Sequence, residues 1–295
     1  MLIRPVIISD LDGTLLESNG SVPNSFYDFL DLISIIKGDF IVASSRSPQN
    51  IKLLFKDFID QFYAICSDGA TVVLFSKSRM DLIKEINLDS QIVGIVCNTL
   101  LDWKVKSFFL FTNHSRGYEI LWHNDGTHIT HELFNYVIDG RTLRELTLAD
   151  KVLHNDISRY SSIRCVSLFD YNSIIDDLYF RLQSNSLLNP LVKLYRYPES
   201  RYFNGTYSWL DIMPKGLSKG FVVKELKSSL LKNRSIVALG NGINDIELLL
   251  SADISYCPSN SDKEVLQISN TIIPGRNGNY FINMVIDNLK QVLYE

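Results

Sequence analysis

Two carboxylates stand two residues apart in Ser9-Asp10-Leu11-Asp12-Gly13-Thr14, where the apolar run Val6-Ile7-Ile8 gives way to a glycine. In an extended backbone, positions i and i+2 project to one side, so Asp10 and Asp12 can face a common site. Gly13 permits a sharp turn, and Thr14 adds a hydroxyl beside exposed backbone N–H groups. Such a pair suits Mg²⁺ binding, nucleophilic attack and proton transfer. Turn chemistry alone asks for one Asp and no Thr.

Three further groups stand just past apolar runs or at helix starts, where open α/β sheets place their ligands. Ser44-Ser45-Arg46 follows Phe40-Ile41-Val42-Ala43 and precedes Pro48. A hydroxyl and helix N-terminal amides there can hold a phosphate, and a plain helix cap is the simpler use of the same serine. Lys219 stands in the first turn of a helix, where a cation opposes the helix dipole, so a bound anion is one reason for it. Lys215 reads as a solvated surface lysine. The fourth group, Gly240-Asn241-Gly242-Ile243-Asn244-Asp245, joins Ile236–Leu239 to a helix, and a carboxylate such as Asp245 in that first turn also stabilises the helix itself.

The elements that must position these groups alternate. Strands are expected at 6–9, 39–43 and 62–66, with helices over 23–36 and 48–58 between them, the pattern of a parallel sheet covered on both faces. The last third resumes with a strand at Tyr207–Ile212, a helix near 218–231, a strand at 236–239, a helix over 242–251 and a closing helix at 280–293. The middle, from about Lys77 to Phe203, groups strands beside helices, as an inserted α+β unit does. The reading is a Rossmann-like three-layer α/β/α core at 1–76 and 204–295, interrupted by an α+β domain at 77–203.

A chain of 295 residues with 46% hydrophobic and 21% charged residues is ordinary for a soluble two-domain protein. A net charge of −4 with scattered basic residues argues against a nucleic-acid or membrane partner. No apolar run is long enough for a membrane helix, and the N-terminus lacks the pattern of a secretory leader. Four widely spaced cysteines read as reduced thiols, so a cytoplasmic location is expected. His123, His128 and His131 read as a solvated loop rather than a metal site.

With these motifs in order, the chain resembles haloacid dehalogenase superfamily phosphatases of the Cof-like group, whose C2-type cap is inserted between the second and third motifs. Asp10 to Thr14 match motif one, Ser44 the hydroxyl of motif two, Lys219 the lysine of motif three, and residues 240–245 motif four. The resemblance implies a phosphatase acting on a small phosphorylated metabolite, most simply a sugar phosphate. Asp10 would form an aspartyl-phosphate, Asp12 would act as acid and base, and Lys219 would offset charge. The resemblance further implies Mg²⁺ held by Asp10, the Asp12 carbonyl, Asn241 and Asp245. Thr14, Ser44, Arg46 and Asn244 would bind the phosphoryl group or the substrate, with Asp68 and Arg164 as weaker candidates, and the cap would close over the site. Oligomeric state is left open.

Position 241 departs from the pattern, because the family usually has Asp there as a direct metal ligand. An amide oxygen can coordinate Mg²⁺ but brings no charge. A tolerated variant, an introduced substitution and a metal-weak, low-turnover phosphate-ester binder remain alternatives. A phosphosugar mutase of the same superfamily is the enzymatic rival.

Overall fold

The computed structural model describes residues 3–58, 60–77, 79–112, 120–124, 162–199 and 205–294. It divides into two compact units, residues 1–85 with 217–295, and residues 86–216.

The first unit is built on eight strands: β1 (Val6–Ser9), β2 (Asp39–Ala43), β3 (Gln61–Cys66), β4 (Thr71–Ser76), β5 (Met80–Glu85), β11 (Ile236–Leu239), β12 (Ile254–Pro258) and β13 (Thr271–Ile273). Their spatial order is β13-β12-β11-β1-β2-β3-β4-β5. The run from β13 to β3 is parallel, while β4 and β5 turn back antiparallel. All four residues of β1 and of β11 are buried, as expected of short apolar strands covered on both faces. Ile7, Val42, Val237 and Leu239 share one core cluster with Phe26 and Phe29 of α1 (Phe26–Ile35), Phe55 of α2 (Pro48–Phe55) and Phe281 of α8 (Asn279–Tyr294). Strand alternation turns Val6 and Ile8 to the opposite face, where α6 (Ile246–Ser251) packs on β11 and β12 beside α5 (Lys219–Leu226). The carboxyl end of β1 lies between those of β2 and β11, where successive connections leave in opposite directions, the usual place for a ligand in such sheets. A short helix α7 (Lys263–Ile268) precedes β13.

The second unit is an antiparallel sheet of β6 (Ser107–Thr112), β7 (Ile120–Asn124), β8 (Ile163–Tyr171), β9 (Val192–Glu199) and β10 (Tyr207–Pro214), in the order β7-β6-β8-β10-β9. One face buries Phe108, Leu110, Val166, Leu168, Leu210 and Ile212 against Val93, Val96 and Cys97 of α3 (Ser90–Asp102) and Ile175, Leu178 and Leu182 of α4 (Asn172–Ser184).

Two boundaries differ from the sequence expectation. The strand beginning at Tyr207, expected in the core, pairs with β8 and β9, so the second unit runs to 216 rather than 203. Residues 80–85, expected in the insertion, pair with β4 and extend the core sheet. His123 is no loop residue either; it is buried in β7 and stacks on Phe108. His128 and His131 lie outside the described residues.

Candidate active site

The chain leaves β1 at Asp10, whose N–H donates to the Leu239 carbonyl of the neighbouring strand at 2.9 Å. It does not stay extended through Asp12. Leu11–Leu15 form one wide π-type turn closed by the Leu16 N–H on the Leu11 carbonyl, with Gly13 at φ +82°. The two carboxylates have different partners.

Asp10 points inward. Its Oδ1 accepts a hydrogen bond from Lys219 Nζ at 2.7 Å, and the same ammonium donates to Asp245 Oδ1 at 2.7 Å. Lys219 is fully buried, Asp245 nearly so, and Asp68 Oδ1 stands 3.8 Å from the ammonium. Burial and the neighbouring Asp245 push Asp10 up to about 7, against the pull of Lys219. For Lys219, burial favours the neutral amine, but Asp10, Asp245 and Asp68 outweigh it and hold the cation well above its ordinary range.

Lys219 reaches this point because α5 starts there. Ser218 caps the helix by accepting from the Phe221 N–H at 2.9 Å and donates to Glu247 Oε2 of α6 at 2.6 Å. Gly220 lets the two helices touch; a Cβ there would fall 2.2 Å from the Glu247 carbonyl.

Asp12 is held by Arg46, whose Nε and Nη2 donate to the two carboxylate oxygens at 2.7 and 2.8 Å. Arg46, expected to read the substrate, is thus placed on the expected acid/base. Ser44 is buried at the end of β2; its Oγ accepts from the Arg46 N–H at 3.2 Å, leaving its own proton for an acceptor. Thr14 is buried beside Asn241 rather than facing outward, because the π-type turn carries it inside.

The residues of motif four divide. Asp245 Oδ2 accepts from the N–H groups of Asn241 and Gly242, both at 3.0 Å, and its other oxygen is on Lys219, so this expected metal ligand anchors its own loop. Asn244 Nδ2 donates to Asp68 Oδ1 at 2.8 Å. Asp68 occupies the end of β3 on a left-handed pair, Ser67 and Asp68, with φ near 50°. Its Ser-Asp-Gly setting reads in the sequence as an ordinary turn; its position after a parallel strand was the signal. Arg164 lies in β8, buried and 5.7 Å above the Phe111 ring.

Among the described residues, no group of three or more His, Cys, Asp or Glu side chains is arranged to hold a metal ion. A mixed set does converge. One terminal atom of the Asn241 carboxamide lies 2.9 Å from the Asp12 carbonyl oxygen and 3.3 Å from Asp10 Oδ2. Adjacent oxygens around an octahedral Mg²⁺ at about 2.1 Å are about 3 Å apart. The Asn241 carboxamide therefore stands at ligand spacing from both Asp10 and the Asp12 carbonyl.

The model of the haloacid dehalogenase-like hydrolase family matches residues 7–279, and the chain belongs to that family. It is an enzyme of the hydrolase class. A phosphoglycolate phosphatase of Sulfurisphaera tokodaii is 40% identical over 67 residues, a match covering 23% of this chain and 30% of that enzyme. TM0651 of Thermotoga maritima has the same fold, with TM-score 0.73 and 18% identity over 97% of each chain. BT1666 of Bacteroides thetaiotaomicron, described among the phosphatases of this superfamily, gives TM-score 0.68 at 16% identity, covering 98% of this chain and 95% of that one. Among the described residues no helix is long and apolar enough to cross a membrane.

Proposed function

We propose that this hydrolase is a phosphatase that releases phosphate from a small phosphorylated metabolite, most simply a sugar phosphate, through an aspartyl-phosphate on Asp10. The buried ion triad Asp10–Lys219–Asp245 at the end of β1 carries the reading. A carboxylate whose only need was solvation would not be paired with a fully buried lysine at this point of the sheet.

In the first step a carboxylate oxygen of Asp10 attacks phosphorus, the ester P–O bond breaks, and Asp12 gives its proton to the departing oxygen. In the second, Asp12 takes a proton from water, which attacks phosphorus and frees Asp10. Arg46 grips both oxygens of Asp12, so it must loosen for Asp12 to carry a proton; we assign it as a positioning residue. Lys219 holds Asp10 and offsets its charge as phosphate approaches, and the Ser44 hydroxyl donates to a phosphoryl oxygen. The superfamily generally uses Mg²⁺, and Asp10, the Asp12 carbonyl and Asn241 are the residues that would hold it. Bound there, Mg²⁺ would neutralise charge on the phosphoryl oxygens. The test is phosphate release across a panel of phosphorylated metabolites, with and without Mg²⁺. Release should require Mg²⁺, and its absence from every substrate in saturating Mg²⁺ would favour a phosphate-ester binder, the reading that uncharged Asn241 supports.

A further inference from the structure

Asn241 stands where the family usually places a carboxylate, and its side chain is engaged. The inward atom of its carboxamide lies 2.9 Å from Thr14 Oγ1, 2.9 Å from the Asp12 carbonyl oxygen and 3.3 Å from Asp10 Oδ2. Thr14 can donate or accept, whereas the carbonyl accepts only, as does Asp10 when ionised. An amide oxygen at that point would set acceptors against one another; an NH₂ group satisfies them. The carboxamide also fills the room left by the missing side chain of Gly13, where a Cβ would come within 2.5 Å of it.

We propose that the Asn241 NH₂ group is a built-in stand-in for the cation. Without metal it ties Asp10 Oδ2 to the Asp12 carbonyl, and a cation is admitted when the carboxamide turns its oxygen inward. The inference rests on the cation site proposed above and concerns what holds that site together when it is metal-free. Both orientations are possible because the spacing of the acceptors suits a hydrogen-bonded nitrogen and a Mg²⁺ ligand set alike. A carboxylate at 241 has no N–H to offer the Asp12 carbonyl and sets a second acidic group against Asp10, so it lacks this resting state. Asparagine therefore gives up metal affinity for a site that is satisfied when empty.

Melting of the wild type, Asn241→Ala and Asn241→Asp in EDTA and in Mg²⁺ tests this. In EDTA the wild type should melt highest, Asn241→Ala several degrees lower and Asn241→Asp lowest. In saturating Mg²⁺ the wild type and Asn241→Asp should exchange places, with Mg²⁺ held about tenfold or more tightly by the aspartate variant. Equal metal-free melting of the wild type and Asn241→Ala would overturn the inference, because an amide facing solvent costs nothing to remove. The Asn241 side-chain amide signal, assigned by its loss in Asn241→Asp, gives a second readout. It should exchange slowly with solvent in EDTA and shift on adding Mg²⁺; fast exchange in EDTA would overturn the inference too. Failure of Asn241→Asp to respond to Mg²⁺ would remove the Mg²⁺ reading instead, while the metal-free order still decides the role of the amide.

Discussion

Lys219 Nζ lies 2.7 Å from Asp10 Oδ1 although 209 residues separate the two in the chain. The contact joins the end of β1 to the start of α5 and leaves a cation with no exposure to solvent. Removing the lysine strands the buried carboxylates of Asp10 and Asp245. Lys219→Met should therefore cost about 3–5 kcal/mol of stability. Denaturant melts measure this, and the double variant with Asp10→Asn should recover part of the loss. No recovery would mean that the triad is not the unit described. Turnover should fall about 10²–10³-fold in Lys219→Met, as for loss of one electrostatic stabiliser.

Arg46 and Asp12 make a two-pronged pair that is partly open to solvent. Arg46→Lys keeps the charge and loses the fork. Stability should change by less than about 1 kcal/mol, because partly exposed pairs contribute little. The kcat should fall about tenfold or more with KM nearly unchanged, since a misplaced acid/base affects chemistry and not binding. A rise in KM alone would show that Arg46 reads the substrate.

How far the site was legible follows from the kind of signal each residue gives. Asp10, Ser44 and the loop at 240–245 end buried apolar strands, and that pattern is local, so the sequence carried it. The partner of a strand is not local. Tyr207–Pro214 has the alternation of any half-buried strand, with nothing to say that it pairs with β8 and β9 rather than with the core. The strand Met80–Glu85 gives little signal because an edge strand leaves Leu82 and Ile83 exposed and so lacks a clear apolar face. The partners of Asp10 and Asp12 are not local either, being Lys219 and Arg46. The i, i+2 rule holds for extended backbone, and the chain turns at Leu11.

Gly220 is a packing requirement. Its missing Cβ is where α5 meets the backbone of Glu247 and Leu248, 2.2–2.6 Å from the position a methyl would take. Gly220→Ala should force the helices apart and cost about 1–3 kcal/mol by thermal or chemical melting. Turnover should drop as well, because the shift moves Lys219. Unchanged stability would mean that the two helices do not approach this closely.

Cys97 faces the core of the second unit from α3, and burial pushes its thiol up to about 12. The charged thiolate is the reactive form, so raising the pH moderately should not activate it in the folded protein. A maleimide should leave Cys97 unlabelled in native buffer and label it in denaturant, as peptide mapping would show. Rapid native labelling would contradict the packing of α3 on this sheet.

The central claim is that Asp10 becomes phosphorylated. Acid quenching during turnover of a substrate carrying radiolabelled phosphate, followed by peptide mapping, tests it directly. The account expects hydroxylamine-sensitive label on the peptide containing Asp10, and neither label nor phosphate release in Asp10→Asn. Turnover retained in that variant, or label on a residue other than Asp10, would contradict it.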